Sequence, residues 1–393
     1  MSSVPTYDLR NPFPWYQYMR LNRPVWEEKP SVWHVFRHED VKRALSDYEH
    51  FSSQRGATDD PNNPISASLI SSDPPRHRQL RALVSQAFTP RAINNLTPRI
   101  ETIAAELIQD LPRRGLQIEV DIVDAFTAPL PVIVIAELLG VPASDRSRFK
   151  VWSDAIIAGS RQMEAGEELT FNEAQREMVE YFSAMIHARV KNPQDDLISG
   201  LVTAKVDGES LSQLDILGFC ILLLVAGNET TTNLLSNALF TLHKQPELWA
   251  QLTQDPSLIS PFIEEVLRFR SPVQHMYRTA TADVELSGIA IPAGSHIVAW
   301  IGSANRDEAV YPDAQTFRIH RDARNIAFGH GIHFCLGAPL ARLEAKIALH
   351  ALLKAFDYME IPSIAACEPV PTGLVYGFQS MPTRMTLRAE ETV

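Results

Sequence analysis

The sequence predicts a mainly α-helical fold with small β-sheets. Apolar residues recur at helical spacing along most of the chain, one helical pattern runs from Ser212 to Lys244, and alternating, strand-like stretches are few. At 1.5 Å per residue, the long helix would extend roughly 48 Å, enough to cross a whole domain. The chain has no internal repeat, low-complexity tract or linker, so we expect one domain over residues 1–393.

Pro, Gly or Asp residues bound the other predicted helices. Pro90 is expected to stop the first of them, because proline removes a helical hydrogen bond and clashes with the preceding turn. At the start of the long helix, Ser212 and Asp215 resemble a capping box with Asp in the place of Glu. The predicted helices span residues 74–89, 93–111, 126–140, 146–157, 173–190 and 212–244.

Strand signals are found mainly in two stretches. Residues 33–36 (WHVF) form the first, and residues 282–300 (ADVELSGIAIPAGSHIVAW) form the clearest. Gly288 and the segment 292–294 interrupt the alternation of the second stretch, which therefore predicts short strands separated by breaks.

Composition limits the class of protein. A formal net charge of −11 argues against nucleic acid as the main partner, and 45% hydrophobic residues is typical of a soluble globular protein. The three cysteines are too few and too scattered for a disulfide framework, which fits a reducing compartment. The N-terminal stretch lacks the apolar core of a signal peptide, and the longest apolar run, residues 216–227, is shorter than the ~20 residues that span a bilayer. We expect a cytoplasmic protein without a membrane anchor.

The stretch Phe328–Gly337 (FGHGIHFCLG) indicates a thiol that binds a metal. Its three glycines allow a loop that brings backbone amides close to one atom, and Cys335 lies at its end, just before a predicted helix. The positive end of that helix favours a thiolate, which is a good axial ligand for haem iron. An isolated cysteine is more often a small buried hydrophobe, which is how we interpret Cys220 and Cys367. A zinc site is a poor alternative, because His333 and Cys335 are only two ligands.

Polar residues interrupt the long helix at Gly227–Thr232 (GNETTT), between two apolar runs. Gly and Thr are poor helix formers, and a carboxylate in an apolar wall costs several kcal/mol unless it has a partner. A core threonine bonded to the carbonyl one turn back is the ordinary explanation of Thr230. A functional site in the helix is the alternative, and the cysteine loop favours it.

Together these stretches resemble the cytochrome P-450 monooxygenases over nearly the whole chain. FGHGIHFCLG fits the haem-binding signature of that family, Phe-Gly-x-Gly-x-His-x-Cys-x-Gly, at every fixed position. Four further stretches resemble family motifs, in the family's order: His77–Arg81 (HRQLR), Ala226–Thr231 (AGNETT), Glu265–Arg268 (EVLR) and Phe317–Arg321 (FRIHR). The resemblance implies the cytochrome P-450 fold, a triangular prism of about a dozen helices with small sheets. In detail the chain looks most similar to soluble Bacillus-type members that oxidise fatty acids, terpenoids and steroids.

The resemblance also implies the cofactor and the residues that act on it. It implies haem b, with Cys335 as the axial ligand of the iron. Thr230 is implied to steady the bound oxygen and Glu229 to feed protons to it, and Gly227 would let the helix backbone approach the haem closely. Cationic and hydrogen-bonding partners suit the two haem propionates. The further residues implied to bind the cofactor are His77, Arg81, Arg278, Phe328 and His333.

A second implied group is structural. Glu265 and Arg268 lie three residues apart, where an ion pair forms readily on one helix face. By resemblance they form a buried cluster with Arg321 beneath the cysteine loop. Family members often have Asp at the position of Arg318, so the local charge pattern of this chain differs, and Arg318 is the alternative third member.

Four segments are implied to line a pocket for substrate: residues 53–72, 156–171, 273–276 and 376–381. Apolar side chains there would suit an oily substrate, although each could equally be ordinary core. The candidate substrate-binding residues are Leu69, Ile70, Ala226, Val273, His275, Met276 and Phe378, with Gln274 as a further polar anchor. Stretches 53–66 and 159–172, rich in Gly, Asp, Asn and Glu, suggest a mobile lid.

The expected partners follow from the same resemblance. No GxGxxG fingerprint for a flavin or nicotinamide occurs, so we expect no fused reductase. Electrons from NAD(P)H would arrive through a separate ferredoxin or flavodoxin with its reductase, and dioxygen would be the oxidant of a monomeric enzyme. Two alternatives stay open: a peroxygenase that uses hydrogen peroxide, and a non-catalytic haem-binding or sensor protein. A basic docking face would use Arg76, Arg78, Arg113, Arg114 and Arg342.

Overall fold

Helices dominate the computed structural model, which describes residues 5–54, 68–113, 115–145, 148–149, 151–152, 173–206, 208–321 and 324–388. The prediction of a mainly α fold is confirmed. In chain order the helices are α1 (Phe13–Asn22), α2 (His38–Ser46), α3 (Arg76–Ala87), α4 (Pro90–Asn95), α5 (Thr97–Gln109), α6 (Pro129–Leu138), α7 (Glu173–Lys191), α8 (Leu197–Thr203), α9 (Gln213–Lys244), α10 (Glu247–Gln254), α11 (Ile259–Phe269), α12 (Ile301–Ala304) and α13 (Ala338–Ala355).

The strands are short and form small sheets. They are β1 (Val25–Lys29), β2 (Val32–Val35), β3 (Phe51–Ser52), β4 (Gln117–Asp121), β5 (Lys205–Val206), β6 (Glu209–Ser210), β7 (Met276–Ala280), β8 (Val284–Leu286), β9 (Ile289–Ile291), β10 (His296–Ala299), β11 (Phe356–Glu360), β12 (Glu368–Pro369), β13 (Phe378–Ser380) and β14 (Pro382–Leu387).

The chain folds as two compact units. The larger unit contains residues 1–52, 97–128 and 230–393, and the smaller unit contains residues 53–96 and 129–229. The division falls within α9, between Glu229 and Thr230, at the polar interruption of the helix. The expectation of a single domain stays a prediction.

A five-stranded sheet and an aromatic cluster organise the larger unit. The strand order of the sheet is β1-β2-β10-β7-β3, in which β2 and β10 run parallel and the other pairs antiparallel. A second sheet has the order β11-β14-β4. Beside the first sheet, the rings of Tyr16, Phe36 and Trp300 pack together, with centroids of Trp300 and Tyr16 5.5 Å apart.

The described residues of the smaller unit form helices and turns and one β5–β6 hairpin. Helix α7 packs against α8, and α8 packs against α3. Phe149, Trp152 and Phe182 form a buried aromatic group, and the Arg148 guanidinium lies 5.0 Å from the Trp152 ring.

Helix α9 has the predicted extent. Its start is a capping box: the Asp215 N–H donates to Ser212 Oγ at 3.1 Å, and the Ser212 N–H donates to the Asp215 carboxylate at 2.9 Å. Among the described residues, α9 alone is long and apolar enough to cross a bilayer, but 61% of its most apolar window is buried inside the protein. A core helix of a globular protein has the same length and composition.

Prolines shift the boundaries of the neighbouring helices. The pattern over residues 93–111 predicted one helix, but the chain forms α4 and α5, with Pro98 in the first turn of α5. Pro90 ends α3 as predicted and also begins α4, where Thr89 Oγ1 accepts the N–H of Ala92 at 3.1 Å. The predicted helix 146–157 lies largely outside the described residues.

Candidate active site

The cysteine loop is closed by its own backbone. The Cys335 N–H donates to the carbonyl of Phe328 at 2.9 Å, which joins the two ends of the motif. Gly329 and Gly331 have φ angles of +75° and +74°, which residues with a side chain rarely adopt. A Cβ on Gly331 would also lie 2.7 Å from the backbone of Ser46 in α2. These glycines therefore allow the loop to turn and to pack on α2.

The environment of Cys335 differs from that of the other two cysteines. Cys335 is partly exposed beside the start of α13, where the positive end of the helix favours a negative charge. Cys220 and Cys367 are buried, and burial raises the pKa of both thiols. Only Cys335 combines access with an environment that suits a thiolate.

The polar interruption of α9 presents two kinds of surface. Ala226 is exposed, although Leu224 and Asn228 on either side are buried. Thr230 lies one turn beyond Ala226 and is half-buried, as is Glu229. The hydroxyl of Thr230 and the small side chain of Ala226 therefore share one face of the helix.

Gly227 packs closely against a neighbouring helix. A Cβ built on Gly227 would lie 3.0 Å from Cδ1 of Ile135 in α6, closer than most real contacts. The predicted approach of this glycine to the haem stays a prediction, and the structure adds a packing reason that the sequence did not provide.

The proposed propionate ligands are found in both units. In the larger unit, Arg278 is buried on β7 and His333 ends the short turn Gly331–His333 before Cys335. In the smaller unit, His77 and Arg81 lie four residues apart on α3. Burial lowers the pKa of His77, and the charge of Arg81 lowers it further, so this imidazole is neutral at neutral pH and can donate a hydrogen bond.

Glu265, Arg268 and Arg321 come together in the larger unit. Arg268 donates two hydrogen bonds to the Glu265 carboxylate, at 2.8 and 2.7 Å, and both side chains are almost fully buried. Arg321 donates to the same carboxylate at 3.3 Å. Arg318 reaches Glu265 only through its backbone N–H, while its guanidinium pairs with Asp313. The third arginine of the cluster is therefore Arg321.

The candidate substrate residues have different surroundings. Leu69 is buried and Ile70 half-buried in the turn Leu69–Ser71 of the smaller unit. Val273 and Met276 are half-buried and pack against the hydrophobic core beside the five-stranded sheet. Partial exposure leaves Ile70, Val273 and Met276 able to contact another molecule.

Three other candidates are held by neighbouring side chains. His275 is buried with its ring 4.6 Å from that of Trp300, and the Phe378 ring packs against that of Phe240 in a tilted arrangement, with the centroids 4.9 Å apart. The side-chain amide of Gln274 donates to the carbonyl of Ser271 and accepts from the hydroxyl of Tyr16, so this amide is engaged inside the fold. The predicted lid stretches lie almost entirely outside the described residues.

The predicted basic docking face is less charged than its arginines suggest. Arg76 forms an ion pair with Asp215 and Arg342 with Glu264. Arg78 and Arg113 are exposed, and Arg114 lies outside the described residues.

Comparison with known proteins decides the family. A family model described as Cytochrome P450 matches residues 25–377. The chain is 44% identical to the putative cytochrome P450 YjiB of Bacillus subtilis, over 96% of this chain and 95% of that protein. It is 40% identical to the erythromycin C-12 hydroxylase of Saccharopolyspora erythraea, over 88% and 87%. The solved structure of CYP109E1 from Bacillus megaterium in complex with testosterone matches with a TM-score of 0.84 at 41% identity, over 96% of this chain and 100% of that chain. The chain belongs to the cytochrome P450 family.

This cytochrome P450 has the family fold and is a haem-thiolate monooxygenase with haem b as its cofactor. Its residues fit that cofactor. Within the described ranges, no group of three or more His, Cys, Asp or Glu could hold a bare metal ion. A partly exposed cysteine in a closed loop suits an iron whose other ligands are supplied by a porphyrin.

Sequence reasoning missed the residues that support the cysteine loop of this cytochrome P450. Asn305 accepts the backbone N–H of Ile326 at 2.8 Å, just before the loop, and its own carbonyl accepts Arg268. Glu264 binds Asn325 and Arg342 on either side of the loop. The only sequence feature that could have drawn attention to Glu264 is its position next to the Glu265–Arg268 motif. Nothing in the sequence indicated a role for Asn305.

Proposed function

We propose that this cytochrome P450 hydroxylates a hydrophobic small molecule, with Cys335 as the axial ligand of the haem iron. The observation that carries the proposal is the closed loop, in which the Cys335 N–H is bonded to the Phe328 carbonyl beside the start of α13. A fixed backbone keeps the thiol in one orientation, and the helix end stabilises its negative charge. When bound, the haem supplies the iron centre at which dioxygen is activated.

The roles of the surrounding residues follow from their chemistry. Thr230 offers a hydroxyl that can hold a water and pass a proton, on the same face of α9 as the exposed Ala226. Glu229 points about 100° away around the helix, where a half-buried carboxylate can take protons from solvent. Arg278 and His333, with His77 and Arg81, would bind the propionates through charge and hydrogen bonds.

We propose a steroid, a terpenoid, a fatty acid or a macrolide as the substrate. CYP109E1 has been solved with testosterone, and a second relative is an erythromycin C-12 hydroxylase. Partly exposed apolar side chains at Ile70, Val273 and Met276 would contact such a molecule, and Ala226 would leave room for it. Apolar walls with few polar groups suit oily ligands.

We propose a monomeric, cytoplasmic enzyme that receives electrons from NAD(P)H through a separate ferredoxin or flavodoxin with its reductase. Among the described arginines of the predicted docking face, Arg78 and Arg113 are exposed and could contact an acidic redox protein, whereas Arg76 and Arg342 already have carboxylate partners. Turnover with a surrogate reductase system and NAD(P)H would support this assignment. Product formed only with hydrogen peroxide would contradict it and favour a peroxygenase.

The proposed role of Cys335 as the ligand of the haem iron can be tested on the purified haem protein. Thiolate ligation gives the ferrous carbon monoxide complex a characteristic Soret band, and Cys335→His should move that band to the position of imidazole ligation. Cys367→Ala is the matched control, because Cys367 is buried elsewhere in the larger unit, and the band should not move. A Soret band unchanged by Cys335→His would overturn the assignment. Spin-state titrations with steroids, terpenoids, fatty acids and macrolides then identify the substrate class.

A further inference from the structure

Glu264 in α11 joins the two ends of the cysteine loop. Its carboxylate accepts Arg342 Nε and Nη2, the second at 3.1 Å, which makes a forked ion pair. The same carboxylate accepts Asn325 Nδ2 at 3.1 Å, and the Glu264 backbone carbonyl accepts that donor at 3.2 Å. Asn325 precedes the loop and Arg342 follows it in α13, so one residue holds both sides.

The contact continues from Arg342 to the cysteine. The guanidinium carbon of Arg342 lies 4.5 Å from the centre of the Phe328 ring, a cation–π distance. The carbonyl of Phe328 accepts the N–H of Cys335 at 2.9 Å. Glu264, Arg342, Phe328 and Cys335 therefore form one sequence of direct contacts in the larger unit.

The buried cluster holds the loop at a different point. Arg268 bonds the carbonyl of Asn305, and the Asn305 side chain accepts the N–H of Ile326. This route fixes the backbone before Phe328 and does not touch its ring. The Phe328 ring lies between the Arg342 guanidinium, whose side chain is 37% exposed, and the Phe334 ring, whose centroid is 6.4 Å away.

We infer that Glu264 is a positioning residue for the Cys335 thiolate, acting through Arg342 and Phe328. The inference rests on the proposed role of Cys335 as the haem ligand. With Glu264 present, Arg342 covers Phe328, and the loop keeps the Cys335 backbone in the orientation that presents the sulfur. Without Glu264 the loop has more conformations, and a larger fraction of the protein has a protonated or detached sulfur.

The experiment compares haem-loaded variants by the ferrous carbon monoxide spectrum, in buffer and in urea below the unfolding transition. Glu264→Gln should give a several-fold larger fraction of the form without thiolate ligation. Arg342→Lys should fall between wild type and Glu264→Gln, because an ammonium keeps the charge over Phe328 but cannot make the fork. Glu119→Gln is the matched control, since Glu119 makes a similarly exposed ion pair with Arg384 in the same unit and should match wild type.

A double-mutant cycle tests the route through the ring. Glu264→Gln and Phe328→Leu should each raise the non-thiolate fraction, and the double variant should show no further increase, because both remove the same chain of contacts. Glu264→Gln equal to Glu119→Gln would overturn the inference, and so would additive effects in the double variant. If wild type itself lacks the thiolate band, the proposed function fails instead, so the two failures are distinguishable.

Discussion

Glu265→Gln is the substitution that most directly tests the buried cluster. In the native protein the Glu265 carboxylate accepts two hydrogen bonds from Arg268 and one from Arg321. The side chains of Glu265 and Arg268 are 2% and 1% exposed. An amide of the same size keeps the volume but leaves a buried guanidinium without its negative partner.

The magnitude follows from burial and chain length. Removing one partner of a buried ion pair costs about 3–5 kcal/mol, because the remaining charge stays desolvated. The entropy of unfolding is about 2.1 cal/mol/K per residue, or about 0.8 kcal/mol/K for 393 residues. The free-energy cost divided by the entropy of unfolding predicts that the melting temperature falls by about 4–6 °C.

The assay is thermal unfolding of the haem-loaded protein by circular dichroism at one scan rate. Arg318→Gln is the matched control, since Arg318 pairs with Asp313 at the surface, where ion pairs contribute about 0–1 kcal/mol. Its melting temperature should change by about 1 °C or less. If Glu265→Gln also changes the melting temperature by about 1 °C or less, the argument that the buried carboxylate neutralises Arg268 is refuted.

Three further outcomes are expected. Thr230→Ala should leave NAD(P)H oxidation running while hydrogen peroxide replaces hydroxylated product, and an unchanged ratio of product to NAD(P)H would contradict the proposed role of the hydroxyl. Burial lowers the pKa of His275 to about 3, whereas an unfolded histidine titrates near 6.5, so unfolding takes up a proton below about pH 6.5. The free energy of unfolding should therefore fall with decreasing pH by up to about 1.4 kcal/mol per unit between about pH 6.5 and 3, and His275→Phe should remove this contribution from urea titrations. Gly302→Ala should cost about 1–3 kcal/mol by thermal melting, because the new methyl group would overlap the engaged amide of Gln274; an unchanged melting temperature would exclude that overlap.

Local patterns predicted the elements whose signals are local. The extent of α9 followed from helical periodicity and a capping box, and β8 to β10 followed from an alternating pattern broken at Gly288 and Gly294. Strand β7 (MYRTA) was missed, because its polar and apolar residues do not alternate strictly and its pairing with β10 and β3 is tertiary. The division between α4 and α5 was missed because the apolar periodicity over residues 93–111 was interpreted as one helix, whereas α5 begins at Thr97 with Pro98 in its first turn.

The residues of the candidate site also divide into those that a local sequence pattern identifies and those that only tertiary contacts reveal. The cysteine loop was recognisable because glycine geometry and the thiol lie within ten adjacent positions, Phe328–Gly337. Its supports were not, because Asn325 and Arg342 lie 61 and 78 positions from Glu264. Gln274 was considered as a substrate anchor, yet its partners Tyr16 and Ser271 engage its amide inside the fold. A polar residue in sequence does not reveal whether tertiary contacts have already used its hydrogen bonds.

Glu264 and Glu265 are adjacent residues of the same type, but their different directions around α11 give them different roles. Successive residues on a helix point about 100° apart, so Glu265 faces the buried arginines while Glu264 faces the cysteine loop. The Glu265 side chain is 2% exposed and that of Glu264 is 43% exposed. Desolvation makes the first pair important for stability, whereas the second pair is too exposed to contribute much and can act mainly through geometry. Neutralising one glutamate should therefore change the melting temperature, and neutralising the other should change the ligation of the sulfur.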